Sequence, residues 1–212
     1  LFHGLYLGGV FYSISIGMPT SIAALIVTLQ PILTNILSGP ILNEKVTLKQ
    51  WIGVLLGFLG ATLVLGLDLG SKIPLLGLVA TLIALISITA STIWQKKLSN
   101  NLPLSVSNFY QAIGGCFFHI LVVIFFAKPY IAFTKTFFLA MGHQILLVSF
   151  GAFTILMFLI KKNSASKTVS IFFLIPATSA LMAWFFLGET LTVIDLLGFL
   201  ITSIGVYIAT RD

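Results

Sequence analysis

Few side chains in this sequence could do chemistry, and their types suit contact with a solute better than bond making. Across 212 residues there are 11 Lys or Arg, 5 Asp or Glu and 3 His. No H-E-x-x-H pair, no paired aspartates, no nucleophile with a base beside it and no phosphate-binding glycine loop occur. Neither an enzymatic reaction nor a cofactor or metal is therefore expected. What remains is a set of neutral groups: Gln30 beside Pro31, Asn35 about one turn later, Tyr6, Tyr12, Phe153 and Ser179. These can hydrogen-bond to a small solute or stack on it. No Lys or Arg lies among them, so a neutral, zwitterionic or hydrophobic solute is expected rather than an anion. His119 sits amid apolar residues and reads as a neutral imidazole bonded to a neighbouring helix.

Two further pairs recur at matched places. Pro31 and Pro176 each interrupt an apolar run near its middle. Such a proline removes one backbone hydrogen bond and kinks the helix, which gives a pivot for gating and shapes a pocket. Glu44 and Glu189 each stand three residues before a threonine, in Thr47-x-x-Gln50 and Thr192-x-x-Asp195. Both quartets read as capping boxes that start a helix. Each carboxylate is expected to lie near a membrane interface, beside the positive N-terminal end of the helix that follows it.

The elements that position these groups follow from composition. Residues of the set AVILMFWYC make up 58% and DEKR only 8%, and mean hydropathy is +1.15. A soluble domain carries about 25% charged residues. The medium around most of this chain must therefore be lipid, which excludes a soluble enzyme, a nucleic-acid binder and a disordered linker. The net charge of +6 does not signal nucleic acid, because the basic residues sit between hydrophobic runs where topology signals belong. Eight runs approach the roughly 20 apolar residues that a crossing helix needs. They are 1–17, 20–41, 50–67, 73–95, 104–127, 138–160, 168–187 and 192–210. None alternates with period two, so an all-α membrane bundle is expected, with the bilayer as its partner. Alternate-side allocation puts eight basic residues on one face (Lys45, Lys49, Lys96, Lys97, Lys161, Lys162, Lys167, Arg211) and three on the other (Lys72, Lys128, Lys135). The first face is expected in the cytoplasm together with the C-terminus.

The sequence also repeats itself. Shifted by 145 residues, Ser21–Leu65 lies over Ser166–Thr210 without a gap, with 10 of 45 positions identical. The matches include Pro31/Pro176, Glu44/Glu189, Thr47/Thr192, Gly53/Gly198 and Gly60/Gly205. The offset spans five helices, an odd number, so the copies are expected to enter the membrane from opposite sides. That is an inverted-topology repeat, common among secondary transporters. Residues 1–67 then form the last three helices of one copy and 72–212 the five of the other. Leu1 already lies in a hydrophobic run, so two further helices are expected upstream, ten in the intact protein.

These features resemble the EamA-type transporters of the drug/metabolite transporter superfamily. The resemblance rests on a mid-helix proline thirteen residues before a glutamate, then threonine and Gly-x6-Gly. The stretches that carry it are Ala23–Leu65, with LQPILTNILSGPILNEKVTLKQWIGVLLGFLGATLVL, and Thr168–Thr210, with LIPATSALMAWFFLGETLTVIDLLGFLITSIGVYIA. It implies a permease that exports amino acids or other metabolites, or takes up small solutes, and a central cavity surrounded by the helices that hold the pocket candidates. The reading is a bacterial inner-membrane transporter of an amino-acid-like, neutral, zwitterionic or drug-like compound, working by alternating access. The alternative is a non-transporting membrane scaffold. Gly53, Gly57 and Gly60, with Gly198 and Gly205, form small-residue faces that let helices approach closely. They are read as packing surfaces, and a homodimer interface is the second reading.

Overall fold

In lipid every backbone polar group must find its partner within the protein, so apolar runs become helices. The computed structural model describes residues 2–66, 72–98, 103–126, 130–188 and 190–211; Glu189 lies outside the described residues. The helices are α1 (Leu7–Ser15), α2 (Thr20–Val27), α3 (Gln30–Leu42), α4 (Leu48–Leu65), α5 (Leu75–Leu98), α6 (Leu104–Phe126), α7 (Lys135–Gly142), α8 (Phe153–Lys162), α9 (Ala165–Ser170), α10 (Leu174–Leu187) and α11 (Val193–Thr210). A π-helical stretch, His143–Ala152, joins α7 to α8, and a 3-10 turn, Ile171–Phe173, joins α9 to α10. No strand occurs among the described residues.

Seven helical segments among them are long and apolar enough to cross a membrane: Thr20–Leu42, Leu48–Leu65, Leu75–Leu98, Ser105–Phe125, Lys135–Lys162, Ala165–Phe186 and Val193–Thr210. The protein is an integral membrane protein. The first run is shorter than the others, five π-helical residues from Phe2 to Tyr6 followed by the nine of α1. It ends where Gly17 turns left-handed at φ +95° and Pro19 starts the next helix.

Sidedness is the reverse of a soluble protein. Leu48, Leu75, Phe125, Phe185 and Phe186 point outward. Gly, Ala, Ser and Thr fill the interior, with Thr34, Ser38, Thr81 and Thr202 fully enclosed. Small residues inside let backbones approach, and contacts between backbones rather than hydrophobic exclusion hold such bundles together.

The tightest contact joins α4 and α11. Both begin with a complete capping box. The Thr47 N–H donates to Gln50 Oε1 at 2.7 Å, and the Thr192 N–H donates to Asp195 Oδ2 at 2.8 Å. The helices then run antiparallel. A Cβ on Gly53 would lie 2.6 Å from the Gly205 carbonyl oxygen and 2.8 Å from the Ala209 Cα. One on Gly60 would meet Thr202 and lie 2.6 Å from the Gly198 carbonyl oxygen. Phe173, in the 3-10 turn, lays its ring against Gly57 and completes a cluster with Val54, Ala61, Val206 and Ala209. The glycine faces thus meet each other inside the chain.

The helix ends are tied electrostatically. Lys96, in the last turn of α5, donates from Nζ to the carbonyls of Ile160 (3.0 Å), Lys161 (3.4 Å) and Asn163 (2.6 Å) where α8 ends. A cation belongs at that negative helix end.

Gly53→Ala and Gly205→Ala should each destabilise the protein by about 1–3 kcal/mol, because the added methyl meets backbone and cannot be accommodated by a rotamer change. Gly114→Ala, where nothing lies within 4 Å, should be neutral. Thermal unfolding in detergent reads the difference.

Candidate functional site

The site is built where two spans break. Pro31 has no N–H to give the Val27 carbonyl, and α2 stops at Val27 while α3 resumes at Gln30. Pro176 likewise has none for Phe172, and that span tightens into the 3-10 turn Ile171–Phe173, whose Ile171 and Phe172 carbonyls are taken up at the C-cap Leu174. In each case the break falls one turn before the proline, on the carbonyl that lost its donor. Val27, Pro31, Phe172 and Pro176 all face one cavity of about 770 Å³.

Most of its wall is apolar. Polar groups come from Tyr6, Thr20, Ser21, Thr28, Gln30 and Ser179, and no charged residue among the described residues lines it. The cavity runs from the prolines toward the end where α2 begins (Thr20, Ser21) and α4 finishes (Val64, Leu65). Such a mostly apolar wall suits a solute with an apolar body and a few hydrogen-bonding groups.

Gln30 is oriented by a relay. Its Nε2 donates to Thr92 Oγ1 at 3.0 Å, and Thr92 Oγ1 donates to the Ile88 carbonyl at 3.0 Å. Because the threonine proton goes to Ile88, Thr92 can only accept from Gln30. The amide nitrogen must face α5, which leaves Oε1 as the acceptor for anything beyond the pair. Ile88 itself lines the cavity.

The sequence candidates divide accordingly. Tyr6, Gln30, Pro31, Pro176 and Ser179 come together around the cavity; Tyr12, Asn35 and Phe153 do not line it. Tyr12 points outward, half exposed. Phe153 and Asn35 are buried elsewhere, and neither Nδ2 nor Oδ1 of Asn35 finds a protein partner. An unpaired buried amide costs about 1–3 kcal/mol.

Glu44 has a partner that its sequence position did not suggest. Its Oε1 accepts from the Ala165 N–H at 2.8 Å and its Oε2 from the Ser166 N–H at 3.4 Å, so it caps the start of α9. A hollow of about 640 Å³ at this end brings Glu44 together with Lys45, Lys49, Lys167 and Arg211. Thus four of the eight basic residues allotted to one face do meet at one end, opposite the mouth of the larger cavity. The second glutamate, Glu189, lies outside the described residues.

Comparison with known proteins agrees with this architecture. The family profile described as EamA-like transporter family matches residues 1–66 and 75–211. The chain belongs to the EamA-like transporter family. Among its relatives, the "Uncharacterized transporter YvbV" of Bacillus subtilis (strain 168) is 28% identical over 96% of this chain and 66% of its own length. The "Probable amino-acid metabolite efflux pump" of Salmonella typhimurium (strain LT2) is 25% identical over 93% of this chain and 70% of its own. The chain therefore spans about two thirds of the length of the curated relatives it matches. One solved crystal structure superposes with a TM-score of 0.83 at 16% identity, over 99% of this chain and 73% of that one, a likeness of fold.

Within this EamA-like architecture, Thr92 and Ile88 of α5 were missed by sequence reading. Their signal was the run of polar residues Ser87, Thr89, Ser91, Thr92 and Gln95 on an otherwise apolar helix, all of them buried. Thr92→Val should strand the Gln30 amide and cost about 1–3 kcal/mol, while Thr92→Ser should restore it. Thermal unfolding of both variants checks the relay.

Proposed function

We propose that the chain forms most of a secondary transporter that moves a small neutral or zwitterionic solute, amino-acid-like or drug-like, by alternating access between two inverted halves. In this reading residues 1–67 are the last three helices of the first half, and 72–212 are the five of the second. The first run counts as an eighth span, the Lys- and Arg-rich end and the C-terminus face the cytoplasm, and the membrane is a bacterial inner membrane.

One observation carries the proposal. If the two copies are exchanged by the offset of 145, the contact Gly53–Gly205 becomes Gly198–Gly60, Gly53–Ala209 becomes Gly198–Val64, and Gly60–Thr202 becomes Gly205–Gly57. All six contacts are present. Such self-exchange is what a two-fold axis between α4 and α11 would give, and two equivalent helices running antiparallel are what opposite insertion would give. Such a pair of halves can rock about its seam, opening one end as the other closes. The cavity at one end and the Glu44 cap at the other support an arrangement with that second end shut. A cavity without charged lining among the described residues supports an uncharged or internally neutralised cargo. The efflux-pump name of the Salmonella relative points the same way.

The inversion is tested by labelling. In a Cys116→Ser background, Lys45→Cys and Thr190→Cys should react with a membrane-impermeant maleimide from opposite faces of sealed vesicles; reaction from the same face would sink the inverted reading. In proteoliposomes, counterflow of radiolabelled leucine should fall several-fold in Pro31→Ala, Pro176→Ala and Gln30→Ala without loss of insertion. Unchanged flux in all three would remove these residues from the path.

A further inference from the structure

The polar lining of the cavity does not include a second buried polar face, one whose groups lack partners. On α3, which packs against α5 and α9, Thr34, Asn35 and Ser38 are enclosed. Thr34 Oγ1 and both amide atoms of Asn35 have no protein partner. A residue kept there to glue helices together would show a bond across the interface, as Gln30 does with Thr92. On α9, Ser166 and Thr168 are also enclosed. The Thr168 hydroxyl donates to the carbonyls of Leu159 in α8 and of Ser164.

The 145-residue exchange gives this face a meaning. Ser179, Ala180 and Ala183 of α10 line the open cavity, and their counterparts are Thr34, Asn35 and Ser38. Thr20, Ser21 and Ala23 line it from α2, and their counterparts are Ala165, Ser166 and Thr168. Every counterpart is buried. The residues that should line the same cavity at the other end are therefore packed shut, and the group holding that end is the Glu44 carboxylate on the first N–H groups of α9.

We propose that Thr34, Asn35 and Ser38 of α3, with Ser166 and Thr168 of α9, form a second solute-binding half-site that opens toward the Lys- and Arg-rich end when Glu44 releases α9. The site takes a neutral solute with amide- or hydroxyl-type donors and acceptors. The Asn35 carboxamide offers two donors and an acceptor, the hydroxyls add both kinds, and none of the five residues is charged. The matching stretch of the open cavity has only Ser179 in place of Thr34, Asn35 and Ser38, so α3 offers the solute more hydrogen-bonding groups than its counterpart α10 does. The proposal rests on the two-half reading above.

Cysteine reactivity tests it. In a Cys116→Ser chain in sealed vesicles, Ser179→Cys reports the open cavity and Ser38→Cys the buried face. With Glu44 intact, Ser179→Cys should react from the face opposite Lys45→Cys, and Ser38→Cys should be protected from both. In Glu44→Ala, Ser38→Cys should react several-fold faster, from the Lys45 face alone. In that variant N-acetylleucinamide, neutral and rich in donors and acceptors, should slow the reaction, and the N-acetylleucine anion should not. A Ser38→Cys that stays protected in Glu44→Ala while Lys45→Cys reacts overturns the half-site and leaves the two-half reading standing. Equal slowing by both probes, or by neither, overturns the assigned solute chemistry. Reaction of Ser38→Cys and Ser179→Cys from the same face overturns both. Asn35→Leu gives an independent readout: it should raise the melting temperature of the closed form and slow Ser38→Cys in Glu44→Ala, whereas a lower melting temperature would mark Asn35 as a packing residue and overturn its role.

Discussion

Close approach of two backbones through glycine is the constraint on which this structure depends. In lipid, apolar side chains gain little by leaving one hydrocarbon surroundings for another, so helices associate by contact rather than by exclusion. The α4–α11 seam provides that contact, with carbonyl oxygens of one helix sitting where side chains of the other would start. Its capping boxes fix where each helix begins, and so which glycine meets which. Phe173 fits against Gly57 only because no side chain stands there. That docking fixes the 3-10 turn, which in turn sets the direction of α10 and the wall of the cavity.

The two ends of the bundle are built differently. At one, Glu44 and Lys96 each hold main-chain groups of a helix terminus, a carboxylate on N–H groups and an ammonium on carbonyls, as the helix dipole favours. At the other, the start of α2 follows Pro19 and has no side-chain cap, and Thr20 and Ser21 line the cavity. The prolines divide the spans between these ends, so a change at one end need not unwind the other.

What was legible in the sequence was local or periodic. The capping boxes depend on residues three apart, and both formed. The glycine spacing identified a packing face, and the prolines identified the breaks. Which face of a helix looks into a cavity depends on the angle at which it packs, and spacing alone does not contain that angle. Hence Gln30 and Ser179 turned inward, while Tyr12 turned out and Asn35 and Phe153 were buried elsewhere. Glu44 was read as serving the helix next in sequence. Its partner is 121 residues away, and only the tertiary fold brings them together. The end of the first run was legible from Gly17, where the backbone turns.

The Lys96 tie has an evolutionary corollary. Three of its acceptors are peptide oxygens, supplied by residues 160, 161 and 163 whatever side chains those positions carry. This tie can therefore survive side-chain changes at those three positions. Position 96 supplies this tie whatever those side chains are, and an acetyl group on its amine would remove the charge that holds the three carbonyls.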